Sequence, residues 1–257
     1  MSRFVNLEFG DESEDRSGHE SELKDESFYL GEAHRAYQDG RFENGLRAFA
    51  KVLEFNPQNT IAWSGQVRML IELGEFREAK VWADKALERF PNDAELLAAK
   101  AVALGRIGDL KAALAFSDAS IEEHGDAPYI WLARGDVLMA RSEKRADYCF
   151  DKALLLAPQD WFIHWLAARI RFFYAKFALA LKLAQKALTC DSTRSVIWLQ
   201  IGQCQQALGM IAPAEISFQQ ALQLDFRCRE AEQALGDLKG VGWFGSLRAK
   251  VNGLFSR

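Results

Sequence analysis

The sequence is poor in the residues that mark most specialised folds. It has five prolines and four cysteines in 257 residues, and no apolar run long enough to span a membrane. Cys149, Cys190, Cys204 and Cys228 are widely spaced and form no CxxC pair, which excludes a recognisable zinc site or disulfide framework and leaves reduced, mostly buried thiols as the expectation. The four histidines, His19, His34, His124 and His164, lie far apart and outside HExxH or any other metal-ligand spacing. No glycine-rich phosphate loop follows a strand, and no GxSxG occurs. With those signatures missing, the expectation is no enzyme activity, no metal, no cofactor and no small-molecule substrate.

Concentrated positive charge is also scarce. A formal net charge of −4 argues against nucleic acid as a partner, because phosphate contact needs a basic surface. The opening "MSRFVNLEFGDESED" lacks the apolar stretch and small-residue cleavage site of a signal peptide, so a cytoplasmic protein is expected. At 49% hydrophobic and 26% charged residues the chain can bury a core and reads as globular.

What the chain does have is a period. Gly45, Ala79, Ala113, Ala146, Ala180 and Ala214 follow one another at separations of 34, 34, 33, 34 and 34. Seven residues downstream, Val52, Ala86, Ser120, Ala153, Ala187 and Ala221 keep step. Gly40, Gly74 and Gly108 recur where a first helix must turn into a second, and Gly209 does so in the last unit. Pro57, Pro91 and Pro158 close second helices, since proline cannot continue one. Each unit therefore reads as a helical hairpin. Small residues let two helices approach closely, with Phe49, Phe150 and Phe218 filling the space beside them. A lone hairpin cannot bury its apolar face, so the hairpins must stack.

"AWSGQVRMLIELGEFREAKVWADKALERFP" (62–91) and "VIWLQIGQCQQALGMIAPAEISFQQALQLD" (196–225) resemble tetratricopeptide repeats, with aromatic, small, glycine and alanine residues in the expected order. The resemblance covers six units and implies an all-α solenoid, a right-handed superhelix of hairpins. It divides the chain into an acidic N-terminal segment (1–26), six repeats (27–226), a polar-faced capping helix (227–240) and a basic amphipathic tail (241–257). Unit four has Ser142 near its turn and unit five has no turn glycine. In unit five the register that buries Ile163, Leu166, Ala167 and Ile170 is preferred, because its neighbour would bury His164 and Arg171 without visible partners.

The resemblance also implies a concave surface lined by the first helices, where a protein or peptide client binds. Its candidate residues are His34, Arg68, Ile71, Val102, Arg106, Tyr129, Leu132, Met139, Trp161, His164, Arg171 and Phe172. Apolar positions with a few arginines suit an amphipathic helix or an extended peptide bearing acidic groups. Reversing charge at Arg68 and Arg106 is then expected to weaken an acidic client and leave the helices intact. The lysine, asparagine and arginine clamp with which some relatives hold chaperone tails is mostly absent, since the equivalent places hold Leu30, His34, Ser64, Arg68, Ala98 and Val102.

Both termini differ from the repeats. From Glu8 to Glu26 nine acids face two bases, a composition that cannot bury enough apolar surface to order itself, and "RFVNLEF" ahead of it is a short apolar cluster. In the tail, Trp243, Phe244, Leu247, Val251, Leu254 and Phe255 share one helical arc flanked by Arg248 and Lys250, with no acid in the segment. Three readings stay open for it: the cytoplasmic face of a membrane, the protein's own solenoid, or a partner. The functional expectation is a non-enzymatic scaffold or adaptor. Its alternatives are a chaperone or assembly factor that sequesters an apolar segment, and a regulatory subunit of an enzyme complex.

Overall fold

The structure, a computed structural model, describes residues 24–238. Among them lie twelve α-helices in six consecutive hairpins: α1 (Glu26–Gln38) and α2 (Phe42–Phe55), α3 (Thr60–Glu72) and α4 (Phe76–Arg89), α5 (Ala94–Ile107) and α6 (Leu110–His124), α7 (Pro128–Ala140) and α8 (Ala146–Leu156), α9 (Trp161–Phe173) and α10 (Phe177–Cys190), and α11 (Ser195–Ala207) and α12 (Ile211–Leu224). Residues 229–238 are helical and stand where a seventh first helix would begin. No helix among the described residues is long and apolar enough to cross a membrane.

Both small-residue series are buried throughout, including the polar Ser120, whose Oγ donates to the carbonyl of Ala94 at 2.7 Å. The phenylalanines fill gaps opposite glycine: a Cβ on Gly65 would lie 2.4 Å from the Phe49 ring, and one on Gly202 would lie 2.6 Å from Phe218. Three first helices begin at Asp25, Asn59 and Asp93, whose carboxylate or amide oxygens accept N–H bonds from Phe28, Ala62 and Leu96. Asp160 does the same for Phe162 at the start of α9.

A single turn design closes all six hairpins. The N–H groups of Arg41, Glu75, Asp109, Glu143, Lys176 and Met210 donate to the carbonyls of Ala36, Leu70, Leu104, Leu138, Arg171 and Gln205, five residues back, at 2.8–3.0 Å. That bond requires a left-handed residue just before the donor. Gly40, Gly74, Gly108 and Gly209 supply it, and Ser142 and Ala175 adopt it at φ 57° and 56° despite carrying a Cβ. The apparent absence of a turn in unit five is thus a strained version of the same turn.

The register preferred for unit five is half of the answer. Ile163, Leu166, Ala167 and Ile170 are buried, and so are His164 and Arg171. His164 takes the place of a recurring tryptophan. Trp63, Trp131 and Trp198 donate from Nε1 to the carbonyl six residues upstream, on Pro57, Gly125 and Ser192, and His164 Nε2 makes the equivalent bond to Pro158 at 3.0 Å. Arg171 donates to Asp147 at 2.5 Å and lies over the Phe150 ring, so each buried group has one polar partner, while His164 Nδ1 and Arg171 Nε are buried without a hydrogen bond.

The stack curls until its first and last repeats touch. Tyr37 of repeat one packs edge-on against Phe162 of repeat five with ring centroids 4.9 Å apart, and Phe42 stacks on Trp165 at 6.4 Å. Phe76 of repeat two meets Phe173 at 5.9 Å, Arg169 donates to Glu72, and Arg41 lies 3.6 Å from Asp225. One hydrophobic cluster therefore runs from Ala33 in α1 to Ile201 in α11.

A left-handed residue with a Cβ costs roughly 1–2 kcal/mol, so Ala175→Gly should stabilise the protein by about 1 kcal/mol once glycine's greater unfolded-state freedom is subtracted. The converse Gly74→Ala, at φ 81° with open space around it, should destabilise by a similar amount. Thermal unfolding followed by circular dichroism reads both.

Candidate partner-binding cleft

The ninth residue of each first helix faces the axis of the superhelix: His34, Arg68, Val102, Asp136, Arg169 and Gln203. Closure brings their charges together. The Arg68 guanidinium lies 3.7 Å above the Tyr129 ring and 5.0 Å from that of Tyr37, and its Nη1 reaches Glu95 at 3.5 Å. Arg106 donates from Nε at 3.2 Å and from Nη2 at 2.7 Å to Asp136 Oδ2, while Tyr174 donates its hydroxyl to Asp136 Oδ1 at 2.7 Å. Arg169 completes the set with two bonds to Glu72, at 2.8 and 2.5 Å. Burial works against the charged form of Arg106, but Asp136 outweighs it and the guanidinium is held protonated. Burial also pushes the Tyr129 hydroxyl well above its ordinary value, and burial together with Asp136 does the same for Tyr174.

Six of the residues expected to line an open groove surround what remains of the axis. Arg68, Ile71, Val102, Arg106, Tyr129 and Leu132 enclose a cavity of about 20 Å³, room for about one water molecule. The structure therefore uses them as core. The expected effect of charge reversal changes accordingly: Arg106→Glu sets a second carboxylate against buried Asp136, so it breaks the axis instead of leaving the helices intact. His34 stands at one mouth, beside Arg68, where partial burial and the nearby guanidinium lower its pKa. Phe172 stands at the other mouth, against Phe177.

The remaining four positions belong to packing between repeats. Trp161 carries the Arg194 guanidinium 4.9 Å above its ring, and Met139 offers its sulfur to Arg171. His164 and Arg171 are the buried, bonded pair described above. Trp243, Phe244, Leu247, Arg248, Lys250, Val251, Leu254 and Phe255 lie outside the described residues, as does the apolar cluster of the N-terminal segment.

An open space does exist, where the first repeats meet the last. Between the turn of repeat one and the concave face of α11 lies a cleft of about 620 Å³, lined by Arg41, Phe42, Trp165, Leu199, Gln200 and Gln203 among others. It shares Arg169, Gln200 and Gln203 with a second space of about 540 Å³ whose walls include Phe76, Phe172, Phe173 and Phe177. Leu199 and Gln203 are the fifth and ninth residues of α11, in register with Ser64 and Arg68 of α3 and with Leu132 and Asp136 of α7. The concave series expected from the sequence ends at unit five, and the same spacing carried one repeat further reaches both. No group of three or more His, Cys, Asp or Glu among the described residues could hold a metal ion.

Removing one member of a buried ion pair costs about 3–5 kcal/mol, so Asp136→Leu should destabilise by that order, and Arg106→Met added to it should restore much of the loss. The buried tyrosines give a second, independent signature. Their hydroxyls stay neutral in the fold but ionise near the ordinary value of 10.0 once unfolded, so their stabilisation is intact below pH 10 and lost above it. The melting temperature should fall as pH rises past 10, and fall less steeply in Tyr129→Phe, as a pH series of melts would show.

Tetratricopeptide-repeat family models match residues 36–103 and 196–228. A tetratricopeptide repeat protein from Parabacteroides merdae superposes with a TM-score of 0.54 at 16% identity, covering 85% of this chain and 86% of that one. Human IFIT1, solved as a dimer with m7Gppp-AAAA, superposes at 0.52 with 19% identity; the match covers 90% of this chain but 60% of IFIT1. No curated protein sequence matches the chain. With six hairpins at a 34-residue period, one turn design throughout and these two matches, the chain carries tetratricopeptide repeats and its described residues fold as a solenoid of six such hairpins.

Proposed function

We propose that this protein is a protein–protein adaptor that holds its client in the cleft between the first and last repeats and not along the axis of the superhelix. One observation carries this reading. The concave residues of repeats two to five mostly pair with one another around the axis and leave a space of about 260 Å³ beside His34 and Ser64, whereas Leu199 and Gln203 of α11 line the larger cleft. The chemistry of the walls describes the client. In the lining Arg41, Arg169, Arg227 and Arg229 stand against Asp39, Glu43, Asp225 and Glu230, and Arg169 is also bonded to Glu72, so the cleft has no excess of positive charge to call for an acidic peptide. Leu199 and Phe173 offer apolar contact, and the Gln203 amide can both donate and accept, a combination suited to an extended segment or helix end with apolar side chains.

Leu199→Ala with Gln203→Glu should lower recovery of cross-linked client by about tenfold or more, the size expected for central contact residues, with helical content retained and a small fall in melting temperature, because Leu199 is partly buried against the Phe218 cluster. Leu155→Asp, on an exposed residue of α8 that lines none of these spaces, should leave recovery unchanged. Equal recovery by all three proteins would remove the cleft from consideration.

A further inference from the structure

All six hairpin turns lie along one edge of the solenoid, and the residue after the left-handed position shows how that edge is finished. It is Arg41, Glu75, Asp109, Glu143 and Lys176 in the first five repeats, charged each time, and Met210 in the sixth. Around it the sixth turn presents Leu208, Met210 and Ile211 at 41%, 41% and 45% exposure, and Phe173 beside the fifth turn is 47% exposed. Phe173 also forms a wall of the cleft. Repeats five and six thus expose an apolar strip at this edge, beside Lys176, where the third turn exposes Ile107 alone.

The chain leaves the described residues at this same edge. First helices run from the connector edge to the turn edge, and 229–238 takes the first-helix place after α12. Its last described residue, Leu238, shares one hydrophobic cluster with Ala214 and Phe218, so the chain leaves toward the end of α12 that begins at Ile211. Immediately beyond it in the chain comes the segment whose apolar arc holds Trp243, Phe244, Leu247, Val251, Leu254 and Phe255. Seventeen residues of helix span about 25 Å, and neighbouring helices pack about 10 Å apart. The segment can therefore start at the sixth turn, cross the fifth and reach Phe173.

We propose that residues 241–257 are the occupant of this strip. Trp243 and Phe244 cover Leu208, Met210 and Ile211, and the rest of the arc packs along the strip as far as Phe173. The docking itself needs no client.

Hydrogen–deuterium exchange on the full-length chain tests the docking with no client present. In Trp243→Asp/Phe244→Asp, amides of 208–211 and 172–177 should exchange about tenfold faster than in the parent protein. The reciprocal variant Met210→Gln/Ile211→Gln, on exposed residues whose loss leaves the core untouched, should speed exchange in 243–255 with an unchanged melting temperature. Unaltered exchange along the turn edge in the first variant overturns the proposal. So does protection that disappears on dilution, which would mean a second copy supplies the segment. Protection of 243–255 that arises only when vesicles containing anionic lipid are added also overturns it, in favour of a membrane. None of these outcomes bears on Leu199 and Gln203, so the cleft stands or falls on its own experiment.

Discussion

Neutralising three arginines inside the axis is the condition on which the rest of the structure depends. Taking a guanidinium out of water is costly unless its partners replace the lost hydration. Arg106 has Asp136 and Tyr174, Arg169 has Glu72, and Arg68 lies between two tyrosine rings with Glu95 at its edge. These partners come from different repeats, so satisfying the charges draws the repeats around one another. Once the charges are paired, Ile71, Val102 and Leu132 can close on the axis as an apolar core, and the aromatic contacts of Tyr37 and Phe42 with α9 join the two ends of the stack.

That closure relocates the surface on which a scaffold of this kind depends. A repeat whose concave side chains are buried by other repeats has none left for a partner. The first and last repeats escape this because each lacks a neighbour on one side, and they leave the Leu199 and Gln203 face of α11 opposite the turn of repeat one. The same end effect explains the apolar sixth turn. A charged residue follows the left-handed position in turns one to five, and the exception, Met210, lies in the last turn before the helix at 229–238.

The fold was legible because its main determinants are local and repeat. Small residues 34 apart report where helices approach, and glycine reports where the chain turns left-handed. Ser142 and Ala175 hid their turns because the backbone geometry of a hairpin is imposed by its two helices as much as by the turn residue. His164 was read as a groove residue because the register preferred for unit five left it facing outward, although it occupies the tryptophan position and makes the tryptophan bond. The site was less legible. Arg68 and Arg106 were recognised as concave, but nothing near them in the chain announces Asp136 or Glu95 as partners.

By itself, the sequence determined the hairpin, its length, its small-residue contacts and the number of times it recurs, since each rests on interactions within one repeat or between neighbours. Only the tertiary structure decided whether the concave face would be a groove or a core. Curvature accumulates from a small rotation at every repeat interface, and whether the sum brings Tyr37 to Phe162 and Glu72 to Arg169 is not a property of any one repeat. The identity of the open cleft depends on that sum, because a contact between residues about a hundred positions apart exists only when all the intervening interfaces have been made.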